Sequence, residues 1–175
     1  MEEIIGDRIK LRFIVQEDTE NIINWRNKDF VRKNFIFQEL FTKEIHEKWL
    51  KTKVDTGEVV QFIIHQLEDN RAVGSVYLRD IDRINEKAEY GIFIGEEDAL
   101  SKGIGSEAAK LALDYAFDCL KLHKVMLRVF AHNIRAIQSY KNAGFVQEAY
   151  LNDEIKIDNK YYDIILMAKI NTEED

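Results

Sequence analysis

The sequence predicts an α+β fold in which a mostly antiparallel central sheet contains one parallel strand–helix–strand crossover and carries helices on both faces. Several short segments alternate apolar and polar residues, which is the period of a half-buried strand. One long apolar helix lies between two such segments, and a unit of this size requires a parallel crossover of right-handed sense. The 175 residues contain no proline and no low-complexity tract that would mark a linker, so we expect a single domain over residues 1–175.

The first half of the chain alternates predicted strands and helices. Residues 8–15 alternate apolar and cationic side chains, and a helix follows over residues 17–27. Residues 29–37 are ambiguous between a short helix and a loop, and Thr42 is placed to cap a third helix. Residues 59–67 and 72–81 predict a hairpin around a polar turn, and residues 86–94 continue the meander.

The second half contains the crossover. The strand at residues 88–94 is followed by a glycine loop, an apolar helix over residues 108–120 and a strand at residues 124–130. A further helix begins at Asn133, a suitable N-cap, and ends at Gly144, which suits a left-handed stop. Two last strands, at residues 146–151 and 161–169, are predicted to be joined by the polar segment 152–160.

The glycine loop and the last helix carry the candidate chemistry. The loop Lys102-Gly103-Ile104-Gly105-Ser106 opens a helix whose first N–H groups have no carbonyl partner within the helix, so it predicts a cradle for a phosphate-bearing cofactor. Asn133 and Tyr140 lie seven residues apart on one helix face. Their separation along the axis is roughly 10.5 Å, which suits two points of one extended ligand.

These two segments resemble the acetyl-CoA motifs of the GNAT superfamily of N-acetyltransferases, in the branch that includes ribosomal-protein N-terminal acetyltransferases. The resemblance is carried by residues 101–108 (SKGIGSEA) and 133–145 (NIRAIQSYKNAGF), and the order of elements around them matches as well. It implies acetyl-CoA as co-substrate, with the pyrophosphate on the loop from Lys102 to Ser106. It also implies that the pantetheine arm pairs with the strand at Ile92, Phe93 and Ile94 and contacts Asn133, while Tyr140 protonates the departing thiolate.

The general base is less clearly indicated. Glu89 holds the place of a strand glutamate that some members of the family use to deprotonate the amine, and Glu39 is a second candidate. Other members place an acidic residue five positions before the motif asparagine, where this chain has Arg128. Leu100 stands where the family usually has an Arg or Gln, which removes one side-chain donor to the phosphates but leaves the backbone cradle intact.

The identity of the amine stays open at this stage. The second half of the chain is similar to spermidine acetyltransferases, and the first half is similar to amino-sugar acetyltransferases. Arg26 and Arg32 would suit an anionic nucleotide sugar, whereas the net charge of −7 would suit a polyamine. A protein N-terminal amine is a third alternative, and a protein that binds acetyl-CoA or a partner without turnover is a different class.

Other functions are disfavoured by the sequence. The loop also matches G-x-G-x-x-A, the dinucleotide-binding pattern of NAD-dependent oxidoreductases. In that pattern the loop directly follows the strand and an acidic residue ends the next strand, whereas here about eight residues intervene and no acidic residue is present at that end, so we disfavour an NAD-binding oxidoreductase. The acidic charge argues against nucleic acid, and the spacing of the four histidines predicts no metal site. No apolar run approaches about 20 residues and no signal peptide is evident, so we expect a cytoplasmic protein without a membrane span. The sequence leaves open whether the protein forms a homo-oligomer. The lone cysteine, Cys119, is expected in a helix core.

Overall fold

A computed structural model describes residues 3–172 as five α-helices packed on an eight-stranded sheet. The strands are β1 (Ile4–Ile5), β2 (Ile9–Phe13), β3 (Val60–Gln66), β4 (Ala72–Asp82), β5 (Lys87–Ile94), β6 (Lys124–Phe130), β7 (Val146–Ile157) and β8 (Lys160–Ile170). The α-helices are α1 (Thr19–Asn27), α2 (Asp29–Arg32), α3 (Lys43–Trp49), α4 (Ile104–Asp114) and α5 (Ile134–Asn142). Single π-helical turns, Leu50–Val54 and Tyr115–Cys119, extend α3 and α4.

The sheet has the order β1-β2-β3-β4-β5-β6-β8-β7. Every neighbouring pair is antiparallel except β5 and β6, which are parallel and connected through α4. This is the predicted topology, since only a long crossover can return the chain to pair in parallel. The α+β fold with one crossover is therefore confirmed.

Helices cover both faces of the sheet because each strand alternates two sets of apolar side chains. The larger core lies under α4 and α5 and includes Phe62, Ile64 and Tyr90. The smaller core lies under α1 and α3 and includes Ile63 and Phe93. Tyr90 and Phe93 thus point to opposite faces of β5, as the alternation predicts.

Two local expectations are wrong. The segment predicted as a polar connection over residues 152–160 is mostly strand, because β7 runs to Ile157 and turns to β8 through Asp158 and Asn159, which both have positive φ. A two-residue turn with positive φ at both positions is the tight hairpin that matches strand twist. Cys119 is exposed at the end of the π-helical turn that follows α4 and is not a core residue.

Candidate active site

The parallel strands β5 and β6 separate after a short contact. They pair only where Lys87–Glu89 lies beside Lys124–Met126. Beyond this point β5 stays paired with β4 as far as Ile94, while β6 stays paired with β8 as far as Phe130. The edge of β5 that faces β6 therefore offers unpaired backbone groups over residues 90–94, and such groups need a partner.

The gap between these strands opens into a cavity of about 940 Å³ that is lined from both faces of the sheet. Many of the predicted site residues line it: Arg26, Glu89, Ile92, Phe93, Ile94, Gly103, Gly105, Ser106, Asn133 and Tyr140. The other four do not. Ile104 is buried in the core, Lys102 is exposed behind the loop, Arg32 pairs with Asp29 at 3.0 Å, and Glu39 is exposed away from the lining.

One wall of the cavity is the start of α4. Gly103 precedes the helix in the left-handed conformation, with φ of 77°, which is strained for any residue with a Cβ. Arg8 fixes this loop from behind, because its Nη1 donates to the Lys102 carbonyl at 3.1 Å and its Nε donates to Glu107 Oε2 at 3.0 Å. Gly103, Gly105 and Ser106 line the cavity at the start of α4, where the first backbone N–H groups of a helix have no carbonyl partner within it and favour an anion.

Helix α5 forms the opposite wall. Asn133 caps it through Oδ1, which accepts from the Ala136 N–H at 3.3 Å, while Nδ2 donates to Asn34 Oδ1 at 3.2 Å. Tyr140 lies two turns further, with its ring edge-on to Tyr90 at a centroid distance of 6.0 Å. Burial and the nearby Tyr77 phenol raise the pKa of Tyr140, so its hydroxyl keeps its proton at neutral pH.

The second face of the sheet contributes a charged and aromatic half of the cavity. Glu89 Oε1 accepts from Arg79 Nη2 at 2.8 Å and from Arg128 Nε at 3.1 Å. Tyr77 lies opposite Gly91 on β4, and a Cβ on Gly91 would meet its ring at 2.3 Å, so the glycine makes room for the phenol. Aromatic side chains from α1–α3 and the segments between them complete this half: Phe30, Phe35, Phe37, Phe41 and Trp49.

Most residues of the cavity lining were not predicted from the sequence, among them Tyr77, Arg79, Tyr90 and, as a lining residue, Arg128. The Arg79–Glu89 pair follows from the β4–β5 register, in which the two residues are directly opposite. The hairpin register is interrupted between Arg79 and Asp82, so sequence alone could not fix this pairing.

No three His, Cys, Asp or Glu side chains within residues 3–172 are placed to hold a metal ion. Over the same residues, no helix has the length and apolar character needed to cross a membrane.

A free strand edge, an anion position at a helix start and a protonated phenol across the gap together define an acyltransferase that uses a CoA thioester. A family model for the acetyltransferase (GNAT) domain matches residues 8–146. The chain belongs to the GNAT family, whose members are N-acetyltransferases that move acetyl from acetyl-CoA to an amine.

Similar proteins support this assignment. Spermidine N(1)-acetyltransferase of Vibrio cholerae serotype O1 is 32% identical over 159 residues, which are 90% of this chain and 86% of that protein. The crystal structure of the Vibrio cholerae spermidine N-acetyltransferase in complex with CoA and spermine matches with a TM-score of 0.87 at 26% identity, covering 94% of this chain and 96% of that chain. A dodecameric structure of the same enzyme matches with a TM-score of 0.79 at 27% identity, over 94% of this chain and 95% of that one.

Proposed function

We propose that this enzyme binds acetyl-CoA in the gap between β5 and β6 and transfers its acetyl group directly to a small primary amine that is bound at the same time. The observation that carries the proposal is the separation of the two strands after Glu89 and Met126. The pantetheine arm would pair with the open edge of β5 at Ile92, Phe93 and Ile94. The pyrophosphate would rest on the backbone N–H groups of Gly103, Gly105 and Ser106.

The reacting groups would meet near the middle of the gap. The neutral amine attacks the thioester carbonyl, the C–N bond forms, and the C–S bond breaks. Backbone N–H groups of β5 stabilise the developing oxyanion. Tyr140 donates its proton to the departing thiolate, and because burial raises its pKa the phenol is still protonated when the thiolate forms.

The proton released by the amine is assigned to Glu89, directly or through water. Both hydrogen bonds from Arg79 and Arg128 fall on its Oε1 atom, which leaves Oε2 for this task. Glu39, the second candidate, is exposed and outside the cavity lining, so we do not assign it a part in the reaction. Asn133 would hold the arm, and this requires its Nδ2 to exchange the hydrogen bond with Asn34 for one with the cofactor.

The relatives suggest the scale of the substrate and the assembly. The Vibrio cholerae structures contain spermine with CoA in one case and a dodecamer in another. By analogy we propose a small-molecule amine, in preference to a protein N-terminus, and a homo-oligomer. The exposed apolar residues Val146 and Ile170, on β7 and β8 at one edge of the sheet, offer a surface for self-association.

The test is thiol release from acetyl-CoA by wild type and by Tyr140→Phe, with a mixed panel of amines. We expect turnover to fall about 100-fold or more with unchanged affinity for CoA, because only the proton donor is lost. Tyr161→Phe, which removes an exposed phenol far from the gap, is the matched control and should keep full activity. Equal turnover of wild type and Tyr140→Phe would refute the acid role. Tight CoA binding without thiol release for any amine would instead indicate a sensor.

A further inference from the structure

The amine half of the cavity, by which we mean the charged and aromatic half on the α1 side of the sheet where we place the amine, has mostly cationic charged side chains. Arg26, Arg79 and Arg128 line it, and Glu89 is the one carboxylate among the described residues of the whole cavity lining. His46 also lines it, but burial lowers its pKa to about 4, so it is neutral at pH 7. This balance is opposite in sign to the net charge of the chain, which is −7.

Arg26 is the cation without a counter-ion. Among the described residues no carboxylate pairs with it, and its buried Nε has no hydrogen-bond acceptor. Its guanidinium carbon lies 3.3 Å above the Phe35 ring centre and 4.9 Å from that of Phe41. Burial lowers the pKa of Arg26 to about 10, which still leaves it charged at neutral pH. The residue is half-buried, and a charge held partly away from water is costly unless partner groups offset it, which an anion would do more fully than the two rings.

The other two guanidiniums already share one carboxylate. Arg79 and Arg128 both donate to Glu89 Oε1, and Arg79 also lies 3.7 Å from Asp80, an exposed residue outside the lining. Tyr77 lies beside this group, because it is two residues from Arg79 on the same face of β4 and opposite Gly91, two residues from Glu89. The amine half therefore has a surplus of positive charge around one point, and a second or third ammonium group of a polyamine would find no free carboxylate there.

We infer that the amine substrate of this enzyme carries an anionic group, a carboxylate or a phosphate, that binds Arg26 beside Arg79 and Arg128. This inference rests on the proposed function, because it names the amine class of that reaction. The aromatic side chains around Arg26, including Phe35, Phe41 and Trp49, would pack against the body of the substrate. Guanidinium groups match both carboxylate and phosphate, because each offers two oxygens in the plane of the fork.

The test compares amines that differ only in the anion. Phenylalanine is compared with phenethylamine, glucosamine 6-phosphate with glucosamine, and spermidine is included as the polycation. We expect at least one anionic member to exceed its neutral partner in kcat/KM by about 10- to 100-fold, the range for one hydrogen bond to a charged group. The pair that shows the difference distinguishes a carboxylate from a phosphate.

Variants at Arg26 locate the effect. Arg26→Gln should lower kcat/KM for the preferred anionic amine by about 10- to 100-fold and leave its neutral partner within about threefold, while Arg26→Lys should retain part of the preference. Arg83→Gln removes a guanidinium that bonds the Leu120 carbonyl outside the cavity, so it should keep the preference. CoA affinity and thermal midpoint of each variant show whether it is folded.

The outcomes separate this inference from the proposed function. Higher kcat/KM for spermidine or for the neutral members overturns the anionic substrate but leaves acetyl transfer intact. If no amine releases thiol, the proposed function fails, and calorimetric titration of the same amines into CoA-saturated protein decides the inference. Tighter binding of an anionic member by wild type, lost in Arg26→Gln, supports it, and equal binding within each pair overturns it.

Discussion

Replacing His46 by Gln should remove a large part of the loss of stability that this protein suffers in mild acid. His46 lies on α3 and is only 1% exposed. Thr19 Oγ1 donates its single proton to the Gln16 carbonyl at 2.6 Å, so it must accept from His46 Nδ1 at 3.0 Å. The proton of the neutral imidazole is therefore on Nδ1, and the buried Nε2 has no partner among the described residues.

The size of the effect follows from the pKa of His46. Burial lowers it from 6.5 to about 4, although the carboxylate of Asp18 acts in the opposite direction. The folded state thus binds fewer protons than the unfolded state between these values. The stabilisation is complete above pH 6.5 and is lost as the pH falls toward 4. At pH 5 the loss amounts to about 2 kcal/mol, from about 1.4 kcal/mol for each pH unit below 6.5.

The assay is urea unfolding of wild type and His46→Gln at a series of pH values from 7.5 to 5. Carboxylates and the other histidines titrate in both proteins, so the difference between the two curves isolates His46. We expect wild type to lose about 2 kcal/mol more than the variant over this range. Parallel curves would show that protonation of His46 is not opposed by the fold, and the argument from burial and tautomer would be wrong.

Three further changes test other parts of the site. Gly103→Ala should lower Tm by about 2–6 °C and weaken CoA binding, because φ of 77° is strained for a residue with a Cβ. The control Gly57→Ala, where φ is 76° and the surrounding space is open, should lower Tm without changing CoA binding. Equal CoA affinities of the two variants would contradict the proposed phosphate site at the start of α4. Asp18→Ala should destabilise by about 2–4 kcal/mol in urea, since it removes the carboxylate that pairs with Arg12 at 2.7 Å; a change below about 1 kcal/mol would contradict this. Glu89→Gln should lower kcat by about 100-fold or more while lowering KM for an anionic amine, and a fall in kcat of less than tenfold would make Glu89 a positioning residue.

Much of the fold could be predicted from the sequence because local signals and tertiary structure agree there. Alternation in β2 to β5 matches the two cores, and Thr42 and Asn133 both accept the expected capping hydrogen bonds. Gly144 has φ of 95°, as a left-handed stop requires. Several residues of the predicted cofactor site line the cavity together for the same reason, since Ile92–Ile94 and Gly103–Ser106 belong to one continuous strand–loop–helix segment.

The rest depends on contacts between distant segments. Strand β7 is exposed along most of its length, and in its second half only Ile155 and Ile157 alternate with polar residues, a run too short to predict a strand. The amine half joins Arg26 of α1 to Arg79 of β4 and Arg128 of β6, three positions with no shared local pattern. Arg26 and Arg32 were predicted to bind one anionic substrate together because they are close in sequence. Arg32 instead binds Asp29 outside the cavity, and the guanidiniums that share the cavity with Arg26 come from across the sheet.

The separation of β5 from β6 connects the two faces of the sheet, and the two faces are used in different ways. On the side of α4 and α5, the proposed contacts to the thioester and its phosphates come mainly from backbone groups of β5 and of the helix start, which any sequence with this fold supplies. On the side of α1, the proposed contacts to the amine come from side chains such as Arg26 and Trp49, which line the cavity and can change without disturbing the sheet. A shared fold therefore carries over the cofactor and the reaction more securely than it carries over the amine. The surplus of guanidinium groups on the α1 side is therefore a property of this chain's own side chains, and the proposed anionic amine rests on it and not on the shared fold.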